Sequence, residues 1–319
     1  MRNSWLQIIL FLSIIFIFII FYKQIRKLRE PEGFVQKEKF IVKYNNDIYD
    51  SFYSEIYDEI NKTNIRLEKE LSIIINLTQA DYNNSYFLDI GSGTGYAVNE
   101  LNELGYNAFG VDQSEAMIKY SETKYPNSNY KCGDIIEPML FEKNIFTHVL
   151  CLYYTIYHFK DKQMFFRNCY HWIQPGGYLI VHIVDPSKFD MAVPSAKNDF
   201  FGSPKKKNDL RNKDSIVDFT HFQYKSSYHE LNSTRSSPLS TSESTSSCSS
   251  VEPILLQIET FKDRETNSIR QNEKQLYMEN IQEIIRMAIY NGFTIKSKVE
   301  LKSSMMDENQ YLYFFERLL

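Results

Sequence analysis

Three glycines separated by single residues are the clearest chemical feature of this 319-residue sequence. Residues 87–96 read Phe-Leu-Asp-Ile-Gly-Ser-Gly-Thr-Gly-Tyr, a short apolar strand followed by Gly91, Gly93 and Gly95. Apolar residues with helical spacing follow from 97 to 104. Glycine lets the backbone approach a ligand closely, and the free N–H groups of a helix start can face its polar atoms. This order of strand, glycine turn and helix predicts a nucleotide-type binding site.

Two aspartates follow the next predicted strands. Asp112 ends the strand at 107–112, about twenty residues after the glycine turn, where an acidic side chain binds ribose hydroxyls. Its carboxylate can accept one hydrogen bond from each hydroxyl of an unphosphorylated ribose. Asp134 follows a short strand at 129–132 and could accept from an adenine amino group, with Ile135 against the ring. Either aspartate alone could instead cap a helix or lie in a loop, but their joint spacing favours a nucleoside site.

Four segments in order resemble successive motifs of class I S-adenosylmethionine-dependent methyltransferases. They are residues 87–95, 110–114, 133–134 and 172–180. The resemblance covers roughly residues 44–185 and, more weakly, the closing helix and strands. It implies a Rossmann-like sheet of seven mostly parallel strands with helices on both faces, and an antiparallel last strand at 310–315. It also implies S-adenosylmethionine as the cofactor.

The cofactor site implied by the resemblance can be carried onto individual residues. They are Asp89, Gly91, Gly93 and Gly95 for the methionine end, the backbone near Cys151 for its amino-acid moiety, Asp112 for the ribose, and Asp134 with Ile135 for the adenine. The four cysteines lack metal-ligand spacing, so no metal site is predicted.

The implied reaction is an in-line displacement at a methyl group activated by a sulfonium, so alignment supplies much of the rate. A general base is needed only when the acceptor must lose a proton. His158, just past the fourth predicted strand, is the catalytic candidate by position, although a lone loop histidine is often structural. Further candidates are Asp185, Tyr153, Tyr154, His221, Tyr224 and His229.

Two features bear on the methyl acceptor. The sequence Leu-Tyr-Tyr-Thr at 152–155 stands where enzymes that methylate amino groups of nucleic acids and glutamine carry Asn/Asp-Pro-Pro-Tyr, which argues against those acceptors. The formal net charge of −4 gives no general case for nucleic acid either. Small molecules, lipids and proteins all remain open as acceptors.

The elements that must position these residues alternate between strand and helix. Strands are predicted at 87–90, 107–112, 129–132, 146–153 and 178–184, with helical segments between them. This alternation indicates an α/β fold with a parallel sheet. Residues 87–319 would form the methyltransferase core, and residues 31–86 a linker followed by a helical lid. The helical pattern at 44–77 could pack on the core, cover the ligand, or do both.

Residues 187–265 interrupt the alternating pattern. Strands at 215–228 and 254–261 predict an inserted β-hairpin. Between them, residues 233–250 are rich in serine and threonine and are predicted to be a flexible loop.

Residues 1–30 are predicted to form a transmembrane anchor with a basic flank. Residues 5–22 are almost entirely apolar, near the roughly 20 residues that a helix needs to cross a bilayer. A signal peptide is the alternative, but the apolar run is long and no small-residue cleavage site follows. Lys23, Arg26, Lys27 and Arg29 flank its carboxyl side, so the positive-inside rule predicts a single-pass protein with its catalytic domain in the cytoplasm.

Two other functions compete with a membrane-anchored methyltransferase. An NAD-dependent oxidoreductase would also use Asp112, but its turn is usually Gly-x-Gly-x-x-Gly. A non-catalytic adaptor that binds S-adenosylmethionine at a membrane fits the absence of a clear catalytic residue.

Overall fold

The computed structural model describes residues 11–18, 38–188, 192–197, 214–231, 254–302 and 309–318. The strands are β1 (Phe40–Tyr44), β2 (Tyr86–Ile90), β3 (Asn107–Asp112), β4 (Asn129–Cys132), β5 (Phe146–Cys151), β6 (Ile173–Val184), β7 (Asp214–Asp218), β8 (Phe222–Leu231), β9 (Ile254–Asp263), β10 (Ile269–Tyr277), β11 (Phe293–Glu300) and β12 (Gln310–Arg317). The labelled helices are α1 (Ser51–Asn61), α2 (Thr63–Thr78), α3 (Tyr96–Glu103), α4 (Glu115–Lys124), α5 (Lys162–Trp172) and α6 (Ile281–Tyr290).

The predicted anchor lies mostly outside the described residues. Residues 11–18 are helical, and the rest of 1–30 belongs to ranges that the structure does not describe. None of the described helices is both long and apolar enough to cross a membrane. The predicted flexible loop at 233–250 also lies outside the described residues.

Seven strands form the central sheet in the order β11-β12-β6-β5-β2-β3-β4. The five strands from β2 to β6 pair in parallel, and β12 runs antiparallel to both β6 and β11. This confirms the predicted Rossmann-like architecture and its antiparallel last strand. The carboxyl ends of parallel strands lie at the same edge of a sheet. The residues that follow β2, β3, β4 and β5 are therefore close together there.

Helices cover both faces of the central sheet, as predicted. On one face, Phe165 and Trp172 of α5 belong to the same buried cluster as Ile284 of α6. On the other face, Leu71 of α2 clusters with Val98 of α3. Because the inner strands are buried on both faces, their sequences are nearly continuous apolar runs. That composition made them visible in the sequence.

The predicted hairpin belongs to a larger second sheet with the order β1-β10-β9-β8-β7. Strands β8 and β9 pair antiparallel, but the predicted strand at 215–228 is divided by a turn into β7 and β8. Strand β10 was not predicted, since Ile-Arg-Gln-Asn-Glu-Lys-Gln-Leu-Tyr has little apolar alternation. Strand β1 pairs parallel with β10 and lies in a segment that was predicted to be a linker.

The helical segment predicted at 44–77 is also divided. The Asp50 side chain accepts the Tyr53 N–H at the start of α1, and Lys62 has a φ of 47°, which ends α1 before α2 begins. Helix α1 buries Phe52 in the same cluster as Phe261 of β9. It therefore packs between the second sheet and the carboxyl edge of the central sheet.

Candidate functional site

The glycine turn after β2 has a backbone conformation and close contacts that leave no room for larger residues at Gly91 and Gly95. Gly91 and Gly95 have φ values of +68° and +82°, in the left-handed region that favours glycine. A Cβ on Gly91 would lie 2.6 Å from Thr155 Cγ2, and one on Gly95 would lie 2.6 Å from Ser121 Cβ. The turn therefore requires glycine at both positions.

Asp112 ties the glycine turn to the loop that follows β3. Its Oδ2 accepts the Gly93 N–H at 2.9 Å, and its Oδ1 accepts the Ser114 N–H at 2.9 Å. Burial raises the pKa of this carboxyl, and the N–H donors of Ser114, Gly93 and Gln113 oppose the rise. Each carboxylate oxygen has a second lone pair. Asp112 can thus hold the turn and still accept from two ligand hydroxyls.

Asp134 and Ile135 lie together after β4, and both line the same cavity as Asp112. The Asp134 Oδ1 accepts the Ile136 N–H at 3.0 Å, which fixes the carboxylate in a local turn. Ile135 is 4% exposed and offers an apolar surface beside it. A polar acceptor next to an apolar side chain is the arrangement predicted for the adenine.

Asp89 and Cys151 are buried, with exposed fractions of 5% and 0%. Neither they nor Gly95 line the cavity, whereas Gly91 and Gly93 do. Burial, followed by the neighbouring Asp112, raises the pKa of Asp89 to about 7. Burial also raises the pKa of the Cys151 thiol. Their assignment to the methionine end of the cofactor stays a prediction.

One cavity joins the carboxyl edge of the central sheet to the second sheet. It encloses about 1130 Å³ including its open mouth. Its cofactor side is lined by Asn46, Ile90, Gly91, Gly93, Val111, Asp112, Gln113, Ser114, Met117, Gly133, Asp134, Ile135 and Thr155. Its opposite side, called here the tyrosine wall, is lined by Tyr49, Tyr53, Tyr57, Asn61, Tyr153, Tyr154, His158, Phe159, Tyr228, Gln257, Glu259, Lys274 and Leu276.

His158 lies in the tyrosine wall, where its Nε2 is 3.4 Å from the Tyr49 hydroxyl. Burial, followed by Lys274 and Lys162, lowers the pKa of His158 to about 3. The imidazole is therefore neutral at pH 7 and can exchange hydrogen bonds with Tyr49 or a bound ligand. Tyr49 is itself fixed through its carbonyl, which accepts from the Ser114 hydroxyl.

Glu259 and Lys274 form a buried ion pair at the centre of the tyrosine wall. Their exposed fractions are 2% and 6%, and Lys274 Nζ lies 3.3 Å from Glu259 Oε2. Tyr53 and Tyr224 each donate to Glu259 Oε1 at 2.9 Å. The Lys274 ammonium also lies 5.5 Å from the centre of the Tyr49 ring and 5.3 Å from that of Tyr53.

The residues of the second sheet that line the cavity were not predicted from the sequence as site residues. A signal was present, because Gln257 and Glu259 fall on the inward positions of β9, between the buried Leu255 and Phe261. Polar residues at inward positions of a strand often mark a site. Tyr49, Tyr53 and Tyr57 belong to the helical segment at 44–77, which was predicted to pack on the core, cover the ligand, or do both.

Other sequence candidates are placed elsewhere. His221 and His229 are exposed, and neither lines the cavity. Asp185 is also absent from the lining, and it accepts hydrogen bonds from Ser187 instead. Tyr224 reaches the site only through Glu259. Tyr153 and Tyr154 do line the cavity.

The sheet order, the antiparallel last strand and the cavity at the carboxyl edge define a Rossmann-like nucleoside-binding fold of the methyltransferase type. The family model described as "Methyltransferase domain" matches residues 88–181. The chain therefore contains a class I S-adenosylmethionine-dependent methyltransferase domain, with S-adenosylmethionine as its cofactor, as the motifs predicted.

Known relatives resemble parts of the chain. A ubiquinone biosynthesis O-methyltransferase from Coxiella burnetii is 32% identical over 104 residues, 31% of this chain and 44% of the relative. A phosphoethanolamine N-methyltransferase from Plasmodium falciparum is 26% identical over 141 residues, 42% of this chain and 50% of the relative. The chain thus spans half or less of the length of these relatives.

The fold is also found among solved structures. An S-adenosylmethionine-dependent methyltransferase from Clostridium acetobutylicum has a TM-score of 0.58 and 15% identity, and the match covers 84% of this chain and 98% of that one. At this identity the likeness establishes the fold alone. Unlike the sequence matches, it extends beyond the central domain.

Proposed function

We propose that this chain transfers a methyl group from S-adenosylmethionine to a small-molecule acceptor by in-line displacement. The observation that carries the proposal is that one cavity has the cofactor residues on one side and the tyrosine wall on the other. An acceptor against the wall would face a cofactor at the sheet edge.

The described residues of the cofactor side suit S-adenosylmethionine better than NAD. Asp112 and Asp134 supply acceptors for hydroxyl and amino groups, and the glycine turn leaves space for a close approach. Among the described lining residues of this side there is no lysine or arginine to pair with a diphosphate. When bound, S-adenosylmethionine supplies a methyl group on a positively charged sulfur.

His158 and Tyr49 would orient the acceptor. A neutral imidazole with a pKa of about 3 holds a proton poorly at pH 7, so its expected role is to receive or donate a hydrogen bond. Alignment of the acceptor with the methyl group then supplies the rate, and a misplacement of 1 Å can cost about 100-fold. His158 is thus proposed as the catalytic residue of the site.

A transfer assay with labelled cofactor tests the proposal. The full chain is incubated with methyl-labelled S-adenosylmethionine and a metabolite extract, and labelled small molecules are counted. We expect His158→Ala to slow transfer by about 100-fold. The affinity for S-adenosylhomocysteine should change little, because the histidine positions the acceptor and not the cofactor. The exposed His171→Ala serves as the matched control and should keep full activity.

The two alternatives give different results in the same assay. Binding of S-adenosylhomocysteine without transfer to small molecules, lipids or proteins would favour the adaptor. Binding of NAD without S-adenosylhomocysteine would favour the oxidoreductase. Label in lipid or protein fractions alone would contradict a small-molecule acceptor.

Membrane anchoring through residues 5–22 is also part of the proposal, with the catalytic domain on the cytoplasmic side. It is supported by the apolar run and the four basic residues that follow it within 23–29. We expect the full chain to stay in the membrane pellet after an alkaline wash, and a chain lacking residues 1–30 to be released. Recovery of the full chain in the supernatant would contradict the anchor. Protease added to sealed vesicles with their cytoplasmic face outward should digest the catalytic domain, and protection from the protease would contradict its proposed cytoplasmic side.

A further inference from the structure

We propose that the atom methylated is an amine nitrogen, held against Tyr49, Tyr53, Tyr57 and Tyr228 beside Glu259. This inference rests on the proposed function and names its substrate class. The names of the two curated relatives do not choose between nitrogen and oxygen, since one is an O-methyltransferase and the other an N-methyltransferase. The choice must come from the tyrosine wall itself.

The tyrosine wall already holds one ammonium group. The Lys274 ammonium is bounded by the rings of Tyr49 and Tyr53 and by the Glu259 carboxylate, within the distances given above. Aromatic faces attract cations, and cages of such rings recognise alkylated ammonium groups. Tyr57 and Tyr228 add two further rings to the same cavity. This wall is therefore suited to a nitrogen that gains methyl groups and positive charge.

The formal charges of the wall residues that would face the acceptor cancel. Helix α1 contributes tyrosines, the loop after β5 contributes Tyr153, Tyr154 and His158, and β8 contributes Tyr228. Strand β9 contributes Gln257 and Glu259, and β10 contributes Lys274. Glu259 and Lys274 compensate each other, so the described lining of the wall has no excess formal charge. An uncharged acceptor group is the form that enters such a site at least cost.

The directions of the pKa shifts in the tyrosine wall favour an amine acceptor over a hydroxyl acceptor. Burial lowers the pKa of the base His158, and burial together with Glu259 raises the pKa values of the phenols Tyr49 and Tyr53. Burial likewise raises the pKa of Tyr228. An acceptor amine in the same surroundings is shifted toward its free base, the nucleophilic form, whereas an acceptor hydroxyl keeps its proton.

The transfer step balances without another reactant. The nitrogen lone pair forms the new N–CH3 bond while the C–S bond breaks and sulfur keeps that electron pair. Positive charge moves from sulfur to nitrogen, and a primary or secondary amine then releases its proton to solvent. The tyrosine rings and Glu259 can stabilise the charge that develops on nitrogen, an interaction that grows toward the transition state.

The test uses the full chain with 13C-methyl S-adenosylmethionine and two halves of one metabolite extract, one of them acetylated in water to block its primary and secondary amines. We expect N-13CH3 signals by NMR in the untreated half and their loss in the acetylated half. O-13CH3 signals of equal size in both halves would overturn the inference and leave the proposed function standing. No new methyl signal in either half would overturn both.

Variants of Tyr57 test the role of the ring. Tyr57→Leu should lower kcat/KM for the amine by about tenfold, since it removes one aromatic face, whereas Tyr57→Phe, which keeps that face, should recover most of the loss. Tyr290→Leu, at a tyrosine that is 83% exposed, is the matched control and should have no effect. Equal activity of Tyr57→Leu and wild type, with S-adenosylhomocysteine affinity and melting temperature unchanged, would contradict a cation-binding wall.

Discussion

Replacement of Asp112 by alanine is expected to weaken S-adenosylhomocysteine binding by about 10²- to 10⁴-fold. A hydrogen bond to a charged group is worth about 1.5–3 kcal/mol, and the ribose would lose two of them. The structure adds a second reason, because the carboxylate also receives the Gly93 and Ser114 N–H groups that shape the turn. Calorimetry on the full chain measures the affinity directly.

Two further variants make the Asp112 result specific. Asp112→Asn keeps an oxygen for the Gly93 N–H but loses the charge, so an intermediate loss of affinity is expected. Asp81 similarly accepts N–H groups from Asn83 and Asn84, but in an exposed turn away from the cavity. Asp81→Ala should therefore leave the affinity within about twofold. Unchanged affinity in Asp112→Ala would remove this residue from the ribose site.

The cofactor side of the site was predictable from sequence because its signals are local. Each binding segment directly follows an apolar strand, and the parallel sheet then brings the strand ends together. Gly91, Gly93, Asp112, Asp134 and Ile135 accordingly line one cavity. The seven-stranded, mostly parallel sheet was predicted from the same alternation of strands and helices together with the family resemblance, whereas its strand order was not predicted.

The acceptor side was largely hidden because it depends on contacts between distant segments. Tyr53 is hydrogen-bonded to Glu259, which is 206 residues away in the sequence, and to Lys274, which is 221 residues away. Strand β10 pairs with β9 and β1, and its own sequence has little apolar alternation. Polar strands of this kind are stabilised by tertiary pairing, which the periodicity of a single segment does not reveal.

The loop after β5 illustrates the same limit at residue level. Tyr153 and Tyr154 have φ values of 43° and 58°, which is rare for residues other than glycine. Such conformations persist only where the surroundings hold them. Here the Tyr153 hydroxyl donates to Asn61 Oδ1 at 2.8 Å, and the Arg66 guanidinium lies 4.2 Å from the centre of its ring. Both partners come from the α1–α2 region.

Loss of the Glu70 carboxylate is expected to destabilise the chain by about 3–5 kcal/mol, since it leaves a buried arginine unpaired. Arg66 and Glu70 are 2% and 0% exposed. The Arg66 Nη1 donates to both Glu70 oxygens, at 3.2 and 3.1 Å. Urea denaturation of Glu70→Ala measures the loss in free energy of unfolding. Replacing both partners, as Arg66→Met with Glu70→Leu, should recover most of it because no buried charge remains.

The double variant also separates stability from positioning. If Arg66 holds the Tyr153 ring in the tyrosine wall, Arg66→Met with Glu70→Leu should be stable yet show a raised KM for the acceptor. Affinity for S-adenosylhomocysteine should change little, since neither residue lines the cavity. Glu283→Ala, which breaks the exposed ion pair with Arg286, is the matched control and should cost less than about 1 kcal/mol. A double variant with normal stability and normal acceptor KM would limit the Arg66–Glu70 pair to a structural role.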